Sequence, residues 1–232
     1  EKNNFRMSPE DIEKKITSKT RLIIINSPNN PTGSIMTKDE LKETYEIAEK
    51  YDLYLYSDEI YARMIYDKSK FNSPSIYDQC KKRVIISNGF SKSFAMTGWR
   101  LGAVIGPTAV IDKMNLLLQT TSSCVSPFIQ KAGIEAIIGN QNKIKVMMAE
   151  YQKRRDILFE GLNTIPNIEC IKPEGAFYIF ANIKKTKKTS REIAEFLLKD
   201  AGVAVLPGSN FGKYGEGYIR LCYATNIDNI KK

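Results

Sequence analysis

The sequence predicts an α/β protein: part of a mostly parallel sheet with intervening helices, followed by a small α+β unit. Three observations predict it. Arg21-Leu22-Ile23-Ile24-Ile25-Asn26 is a near-continuous apolar run, as expected of a strand covered on both faces in a parallel sheet. Strand-like and helix-like segments then alternate in the manner of βαβ units. Beyond residue 167 the pattern becomes short strands around one helix.

The elements follow in order. Ser8-Pro9-Glu10-Asp11 opens a short helix, with serine as cap and proline in the first turn. The run 21–26 is the first strand. Thr37-Lys38-Asp39-Glu40 is a capping box that opens a helix to about Lys50. Strands are expected at 53–57, 84–87 and 101–106. Helical periodicity then dominates 109–162. The last part reads as strands at 168–171 and 176–181, a helix at 190–201, and strands at 203–206 and 218–224. A boundary is expected within the helix between Asn142 and Leu162, giving units 1–145 and 146–232. There is no internal repeat.

Composition narrows the chemistry. The 232 residues include no histidine, which removes Ser-His-Asp and Cys-His catalysis and histidine-ligated metals. Acid–base work falls to Lys, Asp, Glu, Tyr or Cys. Cys80, Cys124, Cys170 and Cys222 are far apart, show no CxxC spacing, and read as free thiols. No metal site is expected. The net charge is +9, yet the basic residues are dispersed. The densest cluster, Lys184-Lys185-Thr186-Lys187-Lys188, reads as a solvated loop, and no nucleic-acid partner is expected. No apolar run is long enough for a membrane span and the first residues are not a signal peptide, so no membrane partner is expected and a cytoplasmic location is the default.

Four motifs carry chemistry. Asn26-Ser27-Pro28-Asn29-Asn30-Pro31-Thr32-Gly33 is a rigid turn after the first strand, where ligands bind in α/β sheets. Ser57-Asp58-Glu59-Ile60-Tyr61 puts acids at the end of the second strand, a place that core packing disfavours. Ser91-Lys92-Ser93-Phe94-Ala95-Met96-Thr97-Gly98-Trp99-Arg100 sets a lysine among hydroxyls with a cation eight positions later. A lysine that does covalent chemistry needs an anionic cofactor anchored beside it. Gly217-Tyr218-Ile219-Arg220-Leu221 places an arginine in a strand. Each has an ordinary alternative: a plain loop, a helix cap, a solvated lysine, a surface ion pair. Their order along the chain is what separates them from chance.

In that order and wording the motifs resemble those of the class I, fold-type-I aminotransferases, which depend on pyridoxal 5'-phosphate (PLP). The Met-Thr-Gly-Trp-Arg wording is closest to a subgroup containing many prokaryotic aspartate and aromatic aminotransferases. The resemblance covers nearly the whole chain. It implies that Lys92 attaches the cofactor and later shuttles a proton, and that Ser91 and Arg100 hold its phosphate. It implies that Asp58 pairs with the pyridinium nitrogen, and that Asn30 and Tyr61 reach the ring 3'-oxygen. Arg220 is expected to grip the substrate α-carboxylate, with Asn30 beside it. The family often has Ser or Thr three residues before the lysine; Gly89 stands there. Pro173-Glu174-Gly175-Ala176-Phe177-Tyr178 resembles another family segment, read as framework near the substrate mouth.

The resemblance further implies a homodimer acting on amino acids and 2-oxo acids, with aspartate and 2-oxoglutarate as the leading pair. It also implies an N-terminal portion that this chain lacks, with a phosphate-binding turn and an aromatic that stacks on the ring. The chain is therefore expected to be a fragment, poorly active alone, with apolar surface exposed where that portion packs. Two alternatives remain open at this stage: another fold-type-I enzyme, a lyase or synthase, and a non-catalytic regulator with an aminotransferase-like domain.

Overall fold

Alternating apolar residues organise the first half of the chain, seen in a computed structural model that describes residue 1 and residues 3–232. Helix α1 (Pro9–Glu13) starts at Ser8, whose Oγ accepts from the Asp11 amide. Strand β1 (Leu22–Asn26) leads through the Asn29–Gly33 turn to α2 (Lys38–Lys50). The expected capping box is present: Thr37 Oγ1 accepts from the Glu40 amide and Glu40 accepts from the Thr37 amide. Strand β2 (Tyr54–Asp58), the short α3 (Ser75–Asp78) and β3 (Val84–Gly89) follow. Then come α4 (Phe90–Ser93) and β4 (Gly102–Ile105).

The four strands lie in the order β1-β2-β3-β4. The first two pairings are parallel and β4 is antiparallel to β3. One face is core: Ile23, Ile25, Leu55, Val84 and Ile86 pack on Leu41, Tyr45 and Ala48 of α2. The other face departs from expectation. Ile24 is 62% exposed, and Leu22 and its register partner Tyr54 are exposed on the same face. Residues of a strand alternate between faces, and only the α2 side is covered here, so β1 is buried on one face rather than on both.

The helical stretch resolves into α5 (Thr108–Thr121), α6 (Pro127–Ile138) and the long α7 (Asn142–Thr164). A second sheet contains β5 (Tyr178–Asn182), then, after α8 (Ser190–Ala201), β6 (Leu206–Pro207) and β7 (Tyr218–Cys222). Its order is β5-β7-β6, all antiparallel. Helix α9 (Ile227–Lys231) follows. The strand expected at 168–171 reduces to one bridge, Glu169 with Asn182. The Cys170 amide turns back to Asn163 Oδ1 instead of joining a ladder. The strand expected at 203–206 shifts to Leu206–Pro207, because Gly202 at φ +65° caps α8 and the Val203 amide still bonds to Leu197. The lysine cluster is not wholly solvated: Lys184 lies over the Tyr218 ring and donates to its hydroxyl, and Lys185 pairs with Glu169.

A backbone seam joins the two sheets. The amides of Glu174 and Gly175 both donate to Gly33 O, Ala176 donates to Met64 O, and Tyr66 donates to Glu174 O. Gly33 is needed there: its φ is +70°, and a Cβ would lie 2.5 Å from Pro173 Cβ. Beneath the seam, Arg155 of α7 is fully buried, bonded to Asp67, Asp156 and Pro173 O, with its guanidinium over Tyr66. Among the described residues no helix is long and apolar enough to cross a membrane.

Candidate active site at the strand ends

Parallel register sets the site. It pairs Asn26 with Asp58, and Asp58 with Ser87, so the carboxyl ends of β1, β2 and β3 stand level. Asn26 acts as a bracket: its Nδ2 donates to Asp58 O at 3.1 Å and its Oδ1 accepts from the Asn30 amide at 2.9 Å. One side chain thereby fixes the Asn30 turn against the end of β2. Asp58 Oδ1 accepts from the Ile60 amide at 3.2 Å, which turns the chain towards Tyr61.

Glu59, next in sequence, is buried. Its Oε1 accepts from Ser57 Oγ at 3.1 Å and Ser73 Oγ at 2.7 Å. Burial pushes its carboxyl above the ordinary value, and the two hydroxyls and the Asp58 charge act after that.

Lys92 sits on α4, directly after β3. Its Nζ lies 5.5 Å from the centre of the Phe177 ring. Ser91 and Arg100 belong to the same loop. Thr97 Oγ1 donates to Ser91 O, and Arg100 Nη1 donates to Thr97 O. Arg100 is exposed and left-handed, at φ +52°. At Gly89, which begins this segment, a Cβ would meet Ile60 Cδ1 at 2.7 Å, a side-chain end that can shift.

Arg220 enters from β7. Its Nη1 donates to Asn30 Oδ1 at 2.9 Å. Its guanidinium lies 4.3 Å from the Tyr178 ring centre and 5.2 Å from that of Phe211. Its Nε is buried and has no partner among the described residues. A buried guanidinium donor left unpaired is costly unless an anion fills the place. The Tyr178 hydroxyl is 3.1 Å from the Tyr61 hydroxyl, and the Phe177 ring packs edge-on to Tyr61. Burial pushes both phenols above the ordinary tyrosine value, Tyr61 the further.

The structure thus links Asn30 directly to Arg220, and Tyr61 to Arg220 through Tyr178. Lys92 reaches the same cluster through Phe177, and Asp58 through Asn26 and the turn to Tyr61. Ser91 and Arg100 share one loop beside Lys92 but make no hydrogen bond to the others. Sequence reasoning missed Asn26, Phe211 and the hydroxyl of Tyr178. For Asn26 a signal existed, since a side-chain amide at a strand end next to a proline-rich turn is suited to bracing it.

Among the described residues, Lys92 offers an amine with no hydrogen-bond partner, Asp58 a carboxylate at a strand end, and Arg220 a buried Nε without a partner. These suit a cofactor with an aldehyde, a ring nitrogen and a phosphate, beside a carboxylate substrate.

Known proteins carry the same arrangement of chain. A family model described as aminotransferase class I and II matches residues 1–232. The chain is 43% identical to the aromatic-amino-acid aminotransferase 2 of Thermococcus litoralis, over 100% of this chain and 60% of that protein. It is 44% identical to the aspartate aminotransferase of Pyrococcus abyssi, with the same coverage. The crystal structure of an aromatic aminotransferase from Pyrococcus horikoshii OT3 superposes with a TM-score of 0.95 at 41% identity, covering 99% of this chain and 62% of that one. The chain spans about 60% of the length of these curated relatives.

Proposed function

Because this chain belongs to the class I and II aminotransferase family and has its fold-type-I architecture, we propose that the full-length protein moves an amino group from an L-amino acid to a 2-oxo acid, with PLP as cofactor. Arg220 carries this reading: a half-buried arginine braced by Asn30 and two rings, whose buried Nε has no partner among the described residues. Bound PLP would supply an electron sink for charge developing at the substrate Cα.

The chain's residues then take these roles. Lys92 Nζ would hold the cofactor and, once freed by substrate, would carry the proton between the substrate Cα and the cofactor carbon C4'. The Asp58 carboxylate holds a proton on the ring nitrogen. Tyr61 and Asn30 face the ring oxygen. Ser91 and Arg100 hold the phosphate, the guanidinium by charge-assisted bonds. Arg220 grips the α-carboxylate, a task for which the planar fork suits better than an ammonium. Residues 1–145 serve as part of the large cofactor-binding domain and 146–232 as the small domain. The working form is a cytoplasmic homodimer. Aspartate is the leading amino donor, on the likeness to the P. abyssi relative, and aromatic amino acids follow on the likeness to that of T. litoralis.

The test adds PLP to the full-length protein, records visible absorption, reduces with borohydride and maps the labelled peptide. Label on Lys92, and one 2-oxo acid formed per cofactor aminated when aspartate is added, support the reading. Label elsewhere, or ammonia or carbon dioxide as product, overturns it in favour of other chemistry.

A further inference from the structure

Tyr178 belongs to none of the roles above, yet its side chain touches both Tyr61 on the cofactor side and Arg220 on the carboxylate side of the site. Its hydroxyl lies 3.1 Å from that of Tyr61, and its ring lies under the Arg220 guanidinium. Both hydroxyls make this hydrogen bond and no other to the protein among the described residues. Each phenol has one proton and two lone pairs. Burial keeps both protonated. The pair can share only one of the two protons. Whichever phenol donates to the other has nothing left to donate elsewhere.

We propose that Tyr178 is the donor of this pair, and that it acts as a positioning residue by turning the Tyr61 proton out of the pair and towards the bound cofactor. This rests on the reading above, in which Tyr61 faces the ring oxygen of PLP. A phenol that accepts a hydrogen bond is polarised and donates more strongly. Tyr178 therefore both aims Tyr61 and strengthens it. The ring position follows from the same geometry. Tyr178 is on β5, opposite Cys222, and packs against Phe177 and Tyr61 in the buried cluster. Its two rotatable bonds are thus fixed by packing. The titratable groups facing the pair are Asp58 on β2, Arg220 and Cys222 on β7 and Tyr151 on α7, with Lys92 on α4 beyond the Phe177 ring.

The consequence is a change in how tightly the bound cofactor holds its titrating proton. A strong donor at the ring oxygen draws off negative charge and lowers that affinity; a weaker donor raises it. Tyr178→Phe removes only the hydroxyl and leaves a ring under Arg220. In the full-length holoenzyme it should raise the pH midpoint of the visible cofactor band by about half to one unit. Affinity for succinate, a probe of the arginine side, should stay within about twofold, because the stacking on Arg220 remains. Tyr61→Phe should raise the midpoint at least as far, and adding Tyr178→Phe to it should move nothing more.

An unmoved midpoint in Tyr178→Phe, or an equal shift in the Tyr61→Phe background, overturns the proposal while leaving the aminotransferase reading intact. A parallel loss of succinate affinity also overturns it, since general loosening would then explain both. If the parent protein forms no visible cofactor band, the functional reading itself falls, and this inference with it.

Discussion

Arg220 and Asn30 lie 190 positions apart and meet in a 2.9 Å hydrogen bond from Nη1 to Oδ1. The bond joins β7 of the second sheet to the turn after β1 of the first. It uses one donor of the guanidinium and leaves the buried Nε free. The fork is therefore held in place before any ligand arrives.

Replacing the fork should be costly. Arg220→Lys keeps the charge but loses the planar donors, the stacking on Tyr178 and Phe211, and the reach to Asn30. We expect kcat/KM of the full-length enzyme to fall at least about 30-fold, from losing planar hydrogen bonds made by a charged group. Succinate affinity should fall in step. Steady-state kinetics and a competition titration check both.

The seam gives a second expectation. In Gly33→Ala the new Cβ would lie 2.5 Å from Pro173 Cβ and 2.9 Å from Gly175 O, at a φ of +70°. Neither neighbour is the end of a flexible side chain. Destabilisation of about 1–3 kcal/mol is expected from strain and overpacking. Urea unfolding measures it. Because Gly33 closes the turn that carries Asn30, KM for the amino donor should rise as well.

Arg155 is fully buried, and its neutral replacement tests a different kind of joint. Arg155→Met removes the partner that Asp67 and Asp156 share and should cost about 1–3 kcal/mol in urea unfolding, because both carboxylates keep solvent contact and Asp156 keeps Lys172. The bond from Arg155 holds the Asp67 carboxyl below its usual 3.8. A depressed carboxyl adds stability above its unfolded value, and this is lost as pH falls through the folded value. Asp67→Asn should therefore flatten the stability curve below about pH 4. The effect should be small, because the Asp67 side chain is half exposed.

Glu59 runs the other way. Burial raises its carboxyl above the ordinary 4.5, so the fold favours the protonated form. That stability is complete below 4.5 and declines as pH rises towards the folded value. Glu59→Gln should abolish this decline, seen as a flatter plot of unfolding free energy against pH. Glu59→Ala should instead cost about 1–3 kcal/mol by leaving the Ser57 and Ser73 hydroxyls without their acceptor.

Much of this was legible in the sequence because it is local. The caps at Ser8 and Thr37 are written within four residues, and both form. Strands β1 to β4 are apolar runs bounded by turns. The motifs around Asn30, Asp58, Lys92 and Arg220 stand at strand ends or in strands, where side-chain placement follows from the backbone. What was hidden is long-range. Nothing in the wording of Phe177-Tyr178 says that Lys92 lies near one ring and Arg220 over the other. That depends on the register of β5 with β7 and on the seam at Gly33. The burial of β1 was misjudged because apolar content reports a preference for cover, while the cover itself comes from other segments. Residues 168–171 have strand-like content but no partner beyond Asn182.

The backbone stitching of Gly33, Met64 and Tyr66 to residues 174–176 has one more implication. Those hydrogen bonds are made once, when the chain folds, and they fix the spacing between Asn30 and the strands that carry Tyr178 and Arg220. A ligand arriving there does not have to gather its contacts from two wandering halves. The entropy of assembly has already been spent, so more of the contact energy is left to appear as affinity and alignment.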